Sequence, residues 1–208
     1  MRGPLERFFP NLSRRTRTVI DWVLTLAIAV GVVLAVKAWV VNPYRIPSSS
    51  MEPTLHCARP GMGCEARSSD RILANRFIYH FRDPKRGEIV VFNPPAQAHV
   101  LCPGGGGVYV KRIIGVPGDR WKERSGYVYI DGKRLNEPYV EAARRDDQTK
   151  NLSDLLPGAT RIPKDDYLMM GDNRSESCDS RTWGLVPRKN IVGEVFLTYW
   201  PVGRIATH

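Results

Sequence analysis

The serine at position 50 has the surroundings expected of a nucleophile. It belongs to residues 47–55, PSSSMEPTL, where prolines enclose three serines a short distance after an apolar stretch that ends at residue 41. A serine hydroxyl attacks a carbonyl group only weakly until a base removes its proton. The pattern therefore predicts a serine nucleophile close to a lipid surface, and it requires a base elsewhere in the chain.

Lys111 is the candidate for that base. A Ser-His-Asp triad is the usual first hypothesis, but none of the four histidines stands in a recognisable motif. An unperturbed lysine titrates near about 10.4, and burial among apolar groups lowers that pKa. In a strand, Tyr109 and Ile113 share the face of Lys111 and shield its amine from water. Taken alone, the segment would be interpreted as an ordinary solvated strand lysine.

Residues 171–181, GDNRSESCDSR, complete an ordered series of motifs. The earlier members are PSSSMEPTL at 47–55, DRIL at 70–73 and KRIIGVPGD at 111–119. This series, placed behind an apolar stretch, resembles the type I signal peptidase family of membrane-bound serine endopeptidases, which use a Ser-Lys dyad. The resemblance spans most of residues 19–200, although residues 120–165 carry no motif.

The resemblance implies a chemical role for four residues. Ser50 corresponds to the nucleophile and Lys111 to the general base. The Ser48 side chain and the Ser50 backbone N–H correspond to the two donors of the oxyanion hole. Ser177 corresponds to the hydroxyl that hydrogen-bonds the lysine amine and orients it.

The resemblance also implies residues that build the site and bind the substrate. Those that maintain its architecture are Asp172, Asp179 and Arg181. In this family the substrate adds as a strand, and shallow pockets accept small side chains at the first and third positions before the cut. The residues expected to pair with that strand are Tyr44, Arg45, Ile46, Pro47, Val108, Tyr109 and Val110. No cofactor and no metal are implied.

Three positions depart from the family pattern. Residues 57–69 form a longer connection between the first two motifs, and Ser69 stands where glycine is expected before Asp70. Cys178 follows Ser177 inside the last motif, so that oxidation or pairing of this cysteine would shift the neighbouring hydroxyl. The remaining serines of the motifs, Ser49, Ser175 and Ser180, are interpreted as ordinary turn residues.

Residues 19–41 predict a transmembrane helix. As a helix, they would extend about 34 Å, against a bilayer core of about 30 Å. A cleavable signal peptide would have a shorter apolar region and a small-residue cleavage site, and a buried core helix would be shorter. Arginines at 14, 15 and 17 place the N-terminus in the cytosol by the positive-inside rule. We therefore expect a cytoplasmic tail at 1–18 and an extracytoplasmic catalytic domain at 42–208.

The catalytic domain is predicted to be mainly β. Short segments rich in Val, Ile and Tyr, bounded by Gly, Pro or Asp, are typical of strands. They are Arg71–Phe77, Glu88–Phe92, Val108–Ile114, Tyr127–Ile130, Tyr167–Met170 and Ile191–Tyr199. Asp131-Gly132 predicts a tight hairpin after the fourth of them. Residues 141–166 are polar and are expected to form an irregular surface excursion.

Composition narrows the class of partners. The net charge is +10, of which residues 1–41 supply +4. No dense basic run with interleaved aromatics indicates nucleic acid, and attraction to anionic lipid headgroups explains the charge. Four cysteines allow three pairings that the sequence leaves open. Pairing of Cys57 with Cys64 and free thiols are equally compatible with the spacing.

Together these patterns predict a monomeric, single-pass bacterial membrane protein that cleaves signal peptides from exported preproteins. The alternatives are a Ser-Lys processing peptidase specialised for one substrate class and an inactive membrane-tethered β scaffold. A self-cleaving repressor is excluded because it would carry a DNA-binding module and no membrane anchor.

Overall fold

The computed structural model describes residues 13–39, 41–102 and 107–208. Most of the predicted cytoplasmic tail, residues 1–12, lies outside the described residues. By internal contacts the chain divides into two compact units, Met1–Val41 and Asn42–His208.

The first unit contains one long helix, α1, over Arg14–Trp39. The Ser13 hydroxyl accepts a hydrogen bond from the Thr16 backbone N–H and so caps the first turn. Residues Arg15–Leu34 are long and apolar enough to cross a membrane by length and composition. Their large apolar side chains are exposed, as Trp22 is at 72%. The helix ends at Trp39, and from Val41 to Arg45 the chain is extended around Pro43.

Twelve strands follow the long helix in the described residues, so the predicted mainly β fold is confirmed. They are β1 Val41–Arg45, β2 Arg71–Asn75, β3 Ile89–Phe92, β4 Tyr109–Gly115, β5 Trp121–Arg124, β6 Tyr127–Ile130, β7 Lys133–Arg134, β8 Lys150–Asn151, β9 Asp166–Met170, β10 Val186–Pro187, β11 Ile191–Trp200 and β12 Ala206–Thr207. The helices of this unit are short: α2 Ala96–Leu101, α3 Leu152–Leu155 and α4 Ser180–Trp183.

The strands form two sheets. The larger sheet has the order β1-β2-β11-β3-β4-β9-β10, with β12 added to β11, and the smaller has the order β7-β6-β5-β8. The long strand β11 therefore lies between β2 and β3 and joins the two halves of the larger sheet. Lys111 on β4 lies opposite Val90 on β3, which fixes the position of the predicted base.

Each predicted strand is present with its ends shifted by at most two residues, and the hairpin is confirmed. Asp131 and Gly132 both have positive φ, at 49° and 81°, as a primed turn requires. Six strands were missed: β7, β8, β10 and β12 have only two residues each, and β1 and β5 are longer. β1 contains Pro43, which is tolerated at a sheet edge, and its valine continues the apolar run of the helix. β5 alternates buried and exposed residues, but the charged Glu123 occupies one of its buried positions.

The expectation of a surface excursion over 141–166 is wrong in part. Leu152 and Ile162 are buried with Trp121 in the hydrophobic cluster of the smaller sheet. Asn151 and Asp154 form a capping box that starts α3. The segment thus has a few buried anchors separated by polar residues, which a search for periodic apolar patterns does not detect.

Candidate active site

Ser50 lies in a 3₁₀ turn over Ser49–Met51, between β1 and β2. Buried Met51 and Leu55 pack with Ile46 and anchor this turn in the core. Asn173 holds it from the other side. Its backbone N–H donates to the Ser50 carbonyl at 3.1 Å, and its side-chain amide donates to the Ser49 carbonyl at 3.2 Å. The sequence assigned no role to Asn173, although it lies within the last motif.

The structure brings the predicted base to the predicted nucleophile. Lys111 Nζ lies 2.5 Å from Ser50 Oγ. The lysine is 4% exposed, and burial lowers its pKa from 10.5 to about 8, although the Asp179 and Asp172 carboxylates oppose this shift. A lysine with such a pKa is neutral in a large part of its molecules near pH 8, which is the state a general base requires.

Ser48 stands beside the dyad. Its backbone is extended and its hydroxyl lies 3.3 Å from Ser50 Oγ. A cavity of about 340 Å³ opens here, and Ser48, Ser50 and Lys111 all line it. The same cavity is lined by all seven residues predicted to pair with substrate: Tyr44, Arg45, Ile46, Pro47, Val108, Tyr109 and Val110.

Asp179 is a fully buried anion behind the lysine. Burial alone would raise its pKa, but Arg181 and the Gly171 N–H outweigh burial and hold the pKa below its usual value. Arg181 donates to both carboxylate oxygens, at 2.9 and 2.8 Å, and the Gly171 N–H donates at 3.0 Å. Asp179 also caps α4 by accepting from the Arg181 backbone N–H. This carboxylate therefore fixes the segment that covers the dyad.

Asp172 is a second buried carboxylate, and it connects the nucleophile segment with the base segment. Arg112 donates to its two oxygens at 2.9 and 2.6 Å, and Thr54 Oγ1 donates at 2.6 Å. Since Thr54 follows the nucleophile turn and Arg112 follows the base, Asp172 ties both segments together. The sequence did not identify Arg112 as a partner, because the predicted strand directs it away from the face of Lys111.

The Ser177 hydroxyl is buried, and it makes no hydrogen bond within ordinary distance among the described residues. It lies near enough to Asp179 to help lower the pKa of that carboxylate. Gly171 packs between this hydroxyl and the Ser50 carbonyl, and a Cβ at that position would collide with both. The hydrogen bond from Ser177 to Lys111 implied by the resemblance stays a prediction.

Two further carboxylates lie at Arg181, Glu123 on β5 and Asp146 in the loop before β8. Asp146 accepts a hydrogen bond from its Nη1, and Glu123 Oε1 lies 3.5 Å from the same atom. Both oxygens of Glu123 are buried without a hydrogen bond in the described part of the chain. Burial raises the pKa of Glu123 to about 7, which Arg181 opposes. Neither residue was predicted, because residues 120–165 carry no motif.

We expect Glu123→Gln to stabilise the protein at pH 8. The folded protein holds the Glu123 proton up to about pH 7, whereas the unfolded chain releases it near 4.5, so stability falls as the pH rises through that window. The variant should gain about 1–3 kcal/mol in free energy of unfolding at pH 8 and almost nothing at pH 4. Denaturation of the full chain in detergent, followed by tryptophan fluorescence, measures this. Exposed Glu141→Gln is the control, and equal gains at both pH values would contradict the explanation.

The four cysteines form two disulfides, Cys57–Cys64 and Cys102–Cys178. The first closes the longer connection between the first two motifs, which Ser69 also secures by accepting a hydrogen bond from the Ala58 backbone N–H. The second joins the residue after α2 to the residue after Ser177. Free thiols, one of the two alternatives left open by the sequence, are not present.

Comparisons with known proteins agree on one family. The family model described as "Signal peptidase, peptidase S26" matches residues 19–200. A "Probable signal peptidase I-2" of Synechocystis is 38% identical over 87% of this chain and 73% of its own length. "Signal peptidase I P" of Bacillus subtilis subsp. natto is 36% identical over 95% and 97%. A crystal structure of a signal peptidase I from Enterococcus faecalis, 30% identical, covers 55% of this chain and 97% of its own chain with a TM-score of 0.45.

Proposed function

Because this chain belongs to the signal peptidase family, peptidase S26, we propose that it removes signal peptides from exported preproteins with Ser50 as nucleophile and Lys111 as base. The family consists of serine peptidases, and the chain is a hydrolase of that kind. The observation that carries the assignment of residues is the 2.5 Å separation of Lys111 Nζ from Ser50 Oγ, in a site where the lysine is only 4% exposed.

The proposed reaction has two half-reactions. Neutral Lys111 takes the Ser50 proton while Oγ attacks the carbonyl carbon before the scissile bond. The Ser48 hydroxyl and the Ser50 N–H stabilise the oxyanion, and the protonated lysine then gives its proton to the leaving amine. A water molecule, deprotonated by the same lysine, attacks the acyl-enzyme ester and releases the signal peptide with a free carboxylate. Ser177 would orient the amine, and Asp172, Asp179 and Arg181 would maintain the geometry.

A substrate strand would add between two segments of the cavity wall, residues 44–47 and 108–110. The pairing of β9 with β4 begins at Arg112, which supports the availability of the preceding edge of β4 for another strand. Backbone hydrogen bonds along such an edge supply affinity with little dependence on sequence. This mode suits an enzyme that must accept many different signal peptides.

The test of this function is to map the cut made by the full chain in detergent micelles. A preprotein with alanine at the first and third positions before its signal junction should be cleaved there and nowhere else, as mass spectrometry of both products would show. Replacing the first alanine by leucine should slow the cleavage by at least about 100-fold. A chain that binds the preprotein without cutting it would instead support the inactive scaffold. Cleavage restricted to preproteins of one substrate class would support the specialised peptidase.

We also propose a topology with residues 1–18 in the cytosol, 19–41 across the bacterial cell membrane and 42–208 outside, as a monomer in contact with lipid. The exposed apolar face of α1 supports this proposal, since such a surface requires a covering of low polarity. Protease added to spheroplasts should digest the catalytic unit and leave an N-terminal tag intact. Protection of the catalytic unit with loss of the tag would reverse the orientation.

A further inference from the structure

The Arg181 guanidinium connects the segment behind the dyad with strand β5. Its Nε and Nη2 donate to the two oxygens of Asp179, at 2.9 and 2.8 Å. Its remaining nitrogen, Nη1, donates to Asp146, and Glu123 Oε1 lies 3.5 Å from the same atom. One buried cation thus serves three carboxylates, and two of them come from residues 120–165, which carry no motif.

The charges of the Asp179–Arg181 pair act on Lys111 in opposite directions. Burial is the main cause of the low pKa of Lys111, and nearby charges adjust it. The Asp179 and Asp172 carboxylates raise that pKa, whereas the Arg181 guanidinium lowers it. Because Lys111 is 4% exposed and Asp179 is fully buried, water screens little of these interactions. A change in the net charge around Arg181 therefore changes how easily Lys111 becomes neutral.

Glu123 is a buried carboxyl group whose own charge changes near neutral pH. It is fully buried, on the inner face of β5. Burial raises the pKa of Glu123 to about 7; Arg181 and Arg174 oppose this rise, and Asp146 and Asp179 add to it. The group beside Arg181 Nη1 thus changes from neutral to negative as the pH rises through this value.

The other cations around Glu123 bind elsewhere. Lys150 lies opposite Glu123 on β8, and its ammonium donates to the Arg181 backbone carbonyl at 2.9 Å. The Arg174 guanidinium donates to both oxygens of Glu137. Neither oxygen of Glu123 has a hydrogen-bond partner among the described residues. The charge of Glu123 is therefore felt chiefly at Arg181, its ion-pair contact.

We propose that Glu123 is a positioning residue for the dyad: when it is ionised, it offsets part of the Arg181 charge that helps Lys111 to lose its proton. This inference rests on the proposed function. Ionised Glu123 makes the cluster of Glu123, Arg181 and Asp179 one charge more negative, and a more negative cluster favours the ammonium form of the base. Protonated Glu123 leaves the guanidinium charge to act in full. Strand β5 thus influences the pH range of cleavage without touching the substrate.

The experiment measures kcat/KM for one preprotein as a function of pH, with the full chain in detergent. Glu123→Gln keeps the shape of the side chain and removes its charge at every pH. At about pH 6 the wild type also carries a neutral residue 123, so the ratio of variant to wild type should be close to one. The ratio should rise to about twofold between about pH 7 and 8, where ionised Glu123 restrains the loss of the Lys111 proton. It should return to one near about pH 10, where Lys111 is neutral in both proteins.

This rise and return distinguish the proposal from a structural role, which would change the rate by the same factor at each pH. The control is Glu141→Gln, an exposed carboxylate that binds Arg144 and should give a ratio of one throughout. If Glu123→Gln does not fold, Glu123→Leu, which also lacks the charge, replaces it in the same comparison. A ratio that is constant from about pH 6 to 10, or that falls below one near pH 7.5, overturns the proposal.

Failure of the proposed function gives a different result. In that case the wild-type chain leaves the preprotein uncut at every pH, and the inference about Glu123 fails with it. When the wild type cuts at the expected bond, the function holds and the pH dependence of the ratio alone decides the role of Glu123.

Discussion

Replacing Ser50 by alanine is expected to reduce kcat/KM for preprotein cleavage by about 10⁴-fold or more, because no acyl-enzyme can form without the hydroxyl. The variant should fold normally. The turn that holds residue 50 is fixed by its backbone contacts to Asn173 and by the burial of Met51, neither of which involves Oγ. Initial rates of preprotein cleavage, measured with excess enzyme to detect slow turnover, provide the test.

The matched control for this variant is Ser49→Ala, the neighbouring serine in the same turn. The Ser49 hydroxyl faces Gly63 in the loop closed by Cys57 and Cys64, so its removal should change the rate less than about threefold. Residual activity above a few per cent in Ser50→Ala, after correction for contaminating enzyme, would show that another group attacks the substrate.

Replacing Lys111 by methionine is expected to lower the rate of cleavage strongly and to raise the stability of the folded protein. Methionine has nearly the length of lysine without the amine, so the rate should fall by about 10³-fold or more at every pH. In the wild type, kcat/KM should rise about tenfold per pH unit up to about pH 8, where the lysine loses its proton. A rate that is already level at pH 6 would rule out this base.

The sign of the stability change follows from the same pKa. The folded protein releases the Lys111 proton near pH 8 and the unfolded chain near 10.5. Wild-type stability therefore rises as the pH increases from 8 to 10.5, and below pH 8 it is lowered by the full free-energy cost of burying the charged amine. Lys111→Met should therefore gain about 2–3 kcal/mol in free energy of unfolding at pH 7, with the gain disappearing above pH 10.5. Lys122→Met, an exposed lysine on β5, serves as the control and should change neither rate nor stability.

The dyad was predictable because its two residues lie in short motifs whose composition is constrained locally. Ser50 is enclosed by prolines, and Lys111 lies on a strand with apolar neighbours on its own face. The strands that were predicted are short segments rich in Val, Ile and Tyr that Gly, Pro or Asp bound, and two of them, β3 and β9, are buried almost continuously. β5 was not predicted because one of its buried positions is the charged residue Glu123. Its partner Arg181 is 58 residues away in the sequence, so nothing near β5 indicates that a carboxylate can be buried there.

The ion pairs and disulfides that hold the site together were not predictable, for a related reason. Arg112 and Asp172, or Asp146 and Arg181, are ordinary charged residues until the fold brings them together. The same holds for the disulfides, since four cysteines allow three pairings and only the folded chain selects one. Local motifs and their resemblance to one family thus led to the candidate reacting groups, whereas the long-range contacts that orient them required the structure.

The position of β11 has a consequence for the newly made protein. This strand lies between β2 and β3, and it therefore separates the half of the sheet next to Ser50 from the half that carries Lys111. Because a ribosome makes residues 191–200 after Ser50, Lys111 and Asp172, the two halves are at first joined only by contacts such as those of Asp172 with Thr54 and Arg112. We therefore expect the dyad to reach its full geometry, and the chain its full cleavage rate, only after β11 has been made and has paired with both halves.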